Sequence, residues 1–491
     1  MATKKINYLI GNAELLTKPV LPKNRFIKKE NLYTVDEIQE RLLPAVESMV
    51  SDADWLDSTL CPKNYVVGAI TLHPSYIAKS FFPNKLLREI GGRSIGSKNI
   101  KMIPDKWKKK ARPNETTTTL LYVALQKPQL HHLEKIIKDL SNDNPLFDDL
   151  EKIWNIEFVE PLDKIKDNPE RKQNYYEIGL HLLPSTNSEF IKQSFLRLAE
   201  KLSIEVKTDL GIDVSNLWFV PCIGIEENIT EIAKFMFVRV IRPIPTIRAF
   251  YPLMKANNTS SNVFYKKQRP LDPELKVAIL DGGLPEAHVL EPWVKNYRET
   301  NPSALEYPGG LEHGLGVTSA FLFGPLNEGE ITVKPYSYVD HYRILDETVN
   351  NEDPIELYSM LKNIEDILIT RQYQFINLSV GPYLPIDDDE VHPWTALIDS
   401  YLADGETLIT VAAGNNGESD LESGLNRILV PSDSVNALCV GACSTTDSNW
   451  KRTSYSACGP GRSPGRVKPD LLAFGGSTKE YFHVPDPLYS K

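Results

Sequence analysis

The 491-residue sequence is poor in everything that builds cross-links, metal centres or membrane spans. Its 5 cysteines (Cys61, Cys222, Cys439, Cys443 and Cys458) are odd in number and scattered. That excludes a disulfide framework and fits a reducing compartment. The 9 histidines are dispersed as well. The one adjacent pair, His131 and His132, would point about 100° apart on a helix and could not share a metal ion. No metal site and no cofactor motif is legible. No apolar run approaches the roughly 18 residues that a spanning helix needs. Asn12, Glu14 and Lys18 stand where a signal peptide would place its apolar core. Basic residues are outnumbered, 55 against 65, for a net charge of −10, so the molecule as a whole repels a phosphate backbone. The expectation is a cytoplasmic protein with neither nucleic acid nor membrane as partner.

What is present is the composition of an ordinary globular protein, 41% apolar and 24% charged, in a chain long enough for about three domains. Residues 1–63 hold a polar start and an amphipathic stretch opening at Thr34, with Leu42, Leu43, Val46 and Met49 on one face. Residues 64–165 alternate strand and helix patterns: a strand at Tyr65–Ile70, a helix from Tyr76 to Ile90 interrupted by Pro83, a strand at Leu120–Leu125, a helix at Leu130–Leu140 and a strand at Ile153–Val159. Residues 170–245 repeat the alternation. Two tandem ferredoxin-like modules of β-α-β-β-α-β order account for this, as does one irregular α+β domain. Residues 246–273, rich in proline and asparagine, read as a linker.

From residue 274 to 491 the pattern changes to short continuous apolar runs: Val277–Leu280, Val317–Phe323, Ile331–Val333, Phe375–Leu378, Leu408–Ala413 and Ala437–Val440. Such runs separated by helical spacing predict an α/β domain, a parallel sheet with helices on both faces. In such sheets chemistry sits beyond the carboxyl ends of the strands.

Two strand ends and one helix start carry candidate chemistry. Asp281, followed by Gly282 and Gly283, can orient a histidine, bind a metal or simply cap a turn. His313, followed by Gly314, stands at what looks like a helix start, where the helix dipole would keep an imidazole neutral and able to act as a base; a structural histidine fits equally. Asn415, after Ala412-Ala413-Gly414, can donate to a developing oxyanion or form a plain turn.

Taken together and in order, these blocks resemble the Asp, His and oxyanion-Asn blocks of the subtilisin-like serine proteases (subtilases, S8 family). Arg343-Ile344-Leu345, Ile376-Asn377-Leu378-Ser379-Val380-Gly381, Asn436–Ala442, Tyr455–Gly461 and Val467–Gly476 resemble further family segments, over about residues 270–480. The resemblance implies a serine endopeptidase acting on polypeptides without a cofactor. Asp281 would fix the histidine, His313 would be general base, and Asn415 would bind the oxyanion. Ser379, Val380 and Gly381, with Ala413 and Gly414, would bind the substrate. It also implies a propeptide-like N-terminal region that restrains the protease, and the family includes large cytoplasmic bacterial members paired with an AAA-type ATPase in defence against phage.

The departures are specific. Gly282 replaces the usual Thr or Ser after the aspartate, Leu315 the usual Thr after His-Gly, and Phe474 a usual proline. No Gly-Thr-Ser-x-Ala nucleophile block occurs in the 491 residues. The expectation is a polypeptide whose C-terminal part lies beyond Lys491, the alternative a protease-derived binding or assembly subunit. Two charged runs remain. Lys106–Arg112 is expected to be a solvated loop, and Asp387–Glu390 a solvated loop rather than a calcium site.

Overall fold

The computed structural model describes residues 31–107, 113–166, 174–184, 187–248, 263–351, 353–462 and 466–485; most of the Lys106–Arg112 run and half of the 246–273 stretch lie outside them. The chain begins with α1 (Val35–Trp55), whose start is fixed by a capping box. Thr34 Oγ1 accepts from the Glu37 amide while a Glu37 carboxylate oxygen accepts from the Thr34 amide, satisfying two of the donors a helix start leaves open.

The first sheet comprises β1 (Tyr65–Leu72), β2 (Arg93–Met102), β3 (Thr116–Gln126) and β4 (Ile153–Phe158), with helices α2 (Asn84–Glu89), α3 (Lys127–Lys138) and α4 (Phe147–Leu150) between them. Its strands are antiparallel in the order β2-β3-β1-β4. The second sheet repeats that topology. Strands β5 (Tyr175–His181), β6 (Glu205–Val206), β8 (Leu217–Ile223) and β9 (Val238–Pro243) lie in the order β6-β8-β5-β9, with β7 (Ile212–Val214) on β8 and helices α5 (Glu189–Lys201) and α6 (Glu226–Ile232). Both sheets have the ferredoxin-like arrangement. Strand β2 escapes the sequence pattern because its edge position leaves most of its side chains half-exposed or exposed. The expected Tyr76–Ile90 helix is two short 3₁₀ turns followed by α2, which starts only after Pro83; proline's missing N–H fits the first turn of a helix and not its middle.

The third sheet has seven parallel strands: β10 (Val277–Asp281), β11 (Val294–Glu299), β12 (Val339–Arg343), β13 (Phe375–Leu378), β14 (Leu408–Ala412), β15 (Leu438–Cys443) and β16 (Leu471–Phe474). The order is β11-β12-β10-β13-β14-β15-β16, so the chain leaves β10 first toward one edge and then toward the other. Helices α7 (Pro308–Phe323), α8 (Glu356–Ile369) and α9 (Pro393–Leu402) are the main crossovers. The apolar run Val317–Phe323 is the second half of α7, and Ile331 makes only an isolated bridge to Phe264.

Alternating side chains join the three units into one stack. On β1, Val66 and Ile70 face α1 and α3, whereas Val67 and Ala69 share a cluster with Phe195, Leu198, Ile229 and Ile232 of the second unit. On β8, Trp218 and Val220 enter that cluster, while Phe219 joins Leu357, Leu361, Trp394 and Ile398 of α8 and α9. The period of two therefore lets each sheet serve two cores.

Ion pairs reinforce the same junction, and they correct the expectation for Asp387–Glu390. Glu390 is buried against Arg239 (Nε to Oε2 2.7 Å). Across the junction, Lys166 pairs with Asp387 and Asp389 at 3.3 and 3.0 Å and Lys98 with Asp389 at 3.4 Å, while Arg427 of the parallel-sheet domain itself holds Asp388 at 2.8 Å. Nearby, buried Glu177 of β5 accepts from Arg242 Nε at 2.6 Å and from the Tyr358 hydroxyl of α8. A charge run that reads as solvated is thus the clasp between the N-terminal sheets and the parallel-sheet domain. Replacing Glu390 by Ala strands the buried Arg239, and the expected cost is on the order of 3 kcal/mol. It is read as an earlier urea unfolding midpoint; a shift too small to resolve would show that the clasp holds nothing.

Candidate active site

The sheet order reverses between β12-β10 and β13, and at such a point the strand ends open a crevice. Asp281 is the last residue of β10 and is fully buried. His313 lies in the second turn of α7, which begins at Pro308 rather than at the histidine. Its Nδ1 is 2.6 Å from Asp281 Oδ1. The expected dipole effect is therefore reversed in outcome. Burial lowers the imidazole pKa, but the charge of Asp281 and the hydrogen bond to it outweigh burial, and the net shift is upward.

Glycine makes this approach possible. A Cβ on Gly282 would stand 2.4 Å from the Gly310 backbone, and one on Gly314 would stand 2.1 Å from the Gly283 carbonyl oxygen. The turn after Asp281 thus nests directly on the first turns of α7. The departure at Gly282 follows from this contact, since a hydroxyl residue there would collide with the helix. Asp281 Oδ1 also accepts from the Gly282 amide at 2.7 Å, while its buried Oδ2 has no donor among the described residues.

Sequence reading missed His341. It is fully buried on β12, beside Ile279 in register. Its Nε2 accepts from the Gly283 amide at 3.2 Å, so the proton is on Nδ1, which donates to Thr318 Oγ1 of α7 at 3.0 Å. One side chain thereby ties the glycine turn to the histidine's helix. Burial pushes its pKa down to about 4, with the Asp281 charge opposing and the neighbouring His288 and His313 adding to the depression.

The remaining site residues lie at the ends of the next two strands. Ser379, Val380 and Gly381 directly follow β13; Val380 is fully buried and Ser379 Oγ accepts from Asn377 Nδ2 at 2.9 Å. Ala413 and Gly414 follow β14. Ala413 is buried, and Gly414 has a φ of 119° that side-chain-bearing residues rarely adopt. Asn415 projects an exposed side chain, whereas its neighbour Asn416 is buried and donates to the Leu425 and Arg427 carbonyls at 2.6 and 2.8 Å. Of the two amides, only Asn415 is presented outward.

The crevice is lined by a further segment that composition marked as linker. Thr246–Arg248 lie antiparallel to Gly381–Tyr383: the Arg248 amide donates to the Gly381 carbonyl at 3.0 Å and the Tyr383 amide to the Thr246 carbonyl at 2.7 Å. No sequence signal announces this, because backbone pairing of three irregular residues leaves no periodicity.

The profile of the subtilase family matches residues 272–489. Among solved structures, the protease domain of PatA, solved as a mutant, is 20% identical, with 45% of this chain and 78% of that chain covered and a TM-score of 0.30. The PatG macrocyclase in complex with peptide is 15% identical, covering 41% and 66%, also at 0.30. MycP1 from Mycobacterium smegmatis is 15% identical, covering 44% and 64%, at 0.29. No curated protein sequence matches the chain. No described helix is long and apolar enough to cross a membrane.

Two outcomes test the geometry. Gly282→Ser restores a hydroxyl beside Asp281 but drives its Cβ into Gly310, and it is expected to lower stability by about 2 kcal/mol, read as a lower thermal midpoint. His341 is neutral in the fold down to about pH 4 but protonates near pH 6.5 when unfolded. The unfolded chain therefore binds the extra proton between those values, and the fold loses about 3 kcal/mol as pH falls through that window. Buried His181 and His392, likewise shifted down by burial, act in the same sense. The His341 share is the part of the pH slope that His341→Gln removes. His313 acts oppositely: its contribution is complete below pH 6.5 and is lost as pH rises through its raised value.

Proposed function

We propose that this protein, whose domain at residues 272–489 belongs to the subtilase family with a protease fold that supports a peptidase function, is a serine endopeptidase restrained by its own N-terminal region. The observation that carries the chemistry is the 2.6 Å contact between His313 Nδ1 and the buried Asp281. A proton held between those atoms leaves Nε2 as the ring's basic nitrogen. In acyl transfer, His313 Nε2 takes the proton of a serine hydroxyl as its oxygen attacks the peptide carbonyl, and later returns it to the departing amine. Asp281 holds the imidazole tautomer and stabilises imidazolium. Asn415, projecting at the next crevice edge, donates to the oxyanion of the tetrahedral intermediate, a contact whose removal from subtilisin costs about 2.7–4 kcal/mol. Ser379–Gly381 receive the substrate as an added strand, with Ala413 and Gly414 on its other side. The nucleophile this reading requires sits on a Gly-Thr-Ser-x-Ala block, which these 491 residues do not contain.

What supports self-restraint is the course of Thr246–Arg248. The segment leaves the second ferredoxin-like sheet and pairs with Gly381–Tyr383 as an extended substrate would. That sheet in turn rests on α8 and α9 through Phe219 and Val240, so the strand is delivered from a fixed base. The test uses the gene's complete product. A fluorophosphonate probe is expected to label it and to fail with His313→Ala. Arg248→Ala, which weakens the paired strand, is expected to raise hydrolysis of an unrelated peptide severalfold. Absence of labelling would leave a binding or assembly subunit, and labelling with unchanged hydrolysis in Arg248→Ala would remove the self-restraint.

A further inference from the structure

Arg248 does more than extend the paired strand. Its side chain is buried, and its guanidinium spreads over three main-chain carbonyls. Nε donates to Pro382 at 3.1 Å, Nη1 to Ala412 at 3.1 Å and Nη2 to Val430 at 2.5 Å. The three acceptors come from three segments: the loop after β13, the last residue of β14, and the loop leading to β15. The first two directly adjoin the residues proposed to bind substrate. Burial lowers the guanidinium pKa to about 10, so it remains a cation at neutral pH, and the carbonyl dipoles are what receive it.

We propose that the pocket walled by the Pro382, Ala412 and Val430 carbonyls is an arginine-recognition subsite, which Arg248 fills in place of an arginine side chain of a polypeptide substrate. The assignment rests on the peptidase reading only in taking the pocket's eventual occupant to be substrate.

The shape of the acceptors selects the ligand. A guanidinium carries five N–H donors in one rigid plane and can serve three carbonyls at once, whereas an ammonium is a compact tripod on a different stem length. An aliphatic side chain offers no donor, so the Pro382 and Val430 carbonyls would lose the hydrogen bonds that Arg248 gives them; Ala412 keeps one from Ser432 Oγ at 2.7 Å. Access depends on Gly381. A Cβ there would lie 3.2 Å from the Val430 oxygen and 3.7 Å from Arg248 Cζ, narrowing the entrance. Successive residues of a strand alternate in direction, and the preceding residue, Ile247, borders, together with Thr246 and Arg248, a cavity of about 330 Å³ that Leu345, Leu357 and Met360 also line. The pattern recognised is therefore an extended segment with an apolar residue followed by arginine.

The experiment measures binding of the labelled hexapeptide Pro-Ile-Pro-Thr-Ile-Arg, which copies residues 243–248, and of its lysine and norleucine analogues, to the full chain carrying Arg248→Ala. The arginine peptide is expected to bind at least tenfold more tightly than either analogue, and the wild-type chain, whose pocket is filled, to bind it at least tenfold more weakly than the variant does. Equal binding of the norleucine peptide, or no peptide binding to the folded variant, overturns the assignment. Should Arg248→Ala not fold, Arg248→Lys answers the same question, since the arginine peptide must then displace a lysine with the same advantage over the lysine peptide. An arginine preference in binding without any gain of hydrolysis in Arg248→Ala overturns self-restraint and leaves the subsite standing; a gain of hydrolysis without side-chain preference does the reverse.

Discussion

The contact on which the site depends is between two stretches of backbone. The Asp281-Gly282-Gly283 turn lies against the first turns of α7 with no side chain between them, because Gly282, Gly310 and Gly314 have none to interpose. Only that approach brings a carboxylate at the tip of a buried strand within 2.6 Å of an imidazole on a crossover helix. A carboxylate taken fully out of water needs a partner that returns what hydration supplied, and His313 is that partner, so the same contact that orients the histidine makes the burial of Asp281 tolerable. His341 adds the second tie, accepting from the turn and donating to the helix. It can do so only as a neutral ring, which its burial secures.

The N-terminal half is not an appendage to this arrangement. Each of its sheets spends one face on its own helices and the other on the next unit, so the three cores are continuous in the direction of stacking. Hydrophobic packing there is non-directional. The ion pairs at Asp387–Glu390 and at Glu177 supply direction, because their donors come from different elements and meet in one geometry. The consequence reaches the crevice, since β9 leads within three residues to Thr246–Arg248 and the strand it places along Gly381–Tyr383.

Much of this was legible in the residues. The central strands of the parallel-sheet domain show as uninterrupted apolar runs because they are buried on both faces; Asp281 and Asn415 stand at or just past strand ends, and His313 stands in the crossover helix α7. The edge strands β2 and β11 were not legible, since a strand most of whose side chains are half-exposed or exposed carries no apolar alternation. His341 stayed hidden for the converse reason. Within Val339–Arg343 it looks like one polar residue among several, and its importance comes from two partners, 58 and 23 positions away in the chain.

The sequence by itself determined the resemblance of the C-terminal domain to the subtilases, the central strands of its parallel sheet (β10, β13, β14 and β15), and which residues can do acid–base work, since these follow from local patterning and from side-chain chemistry. Only the tertiary structure decided that Gly282 cannot be a hydroxyl residue, that an acidic run is a clasp, and that the stretch read as a linker opens with an arginine set among backbone carbonyls. Each of those depends on what lies across the crevice or across a sheet. Distances through space between residues far apart in the chain leave no period, and no composition, from which they can be read.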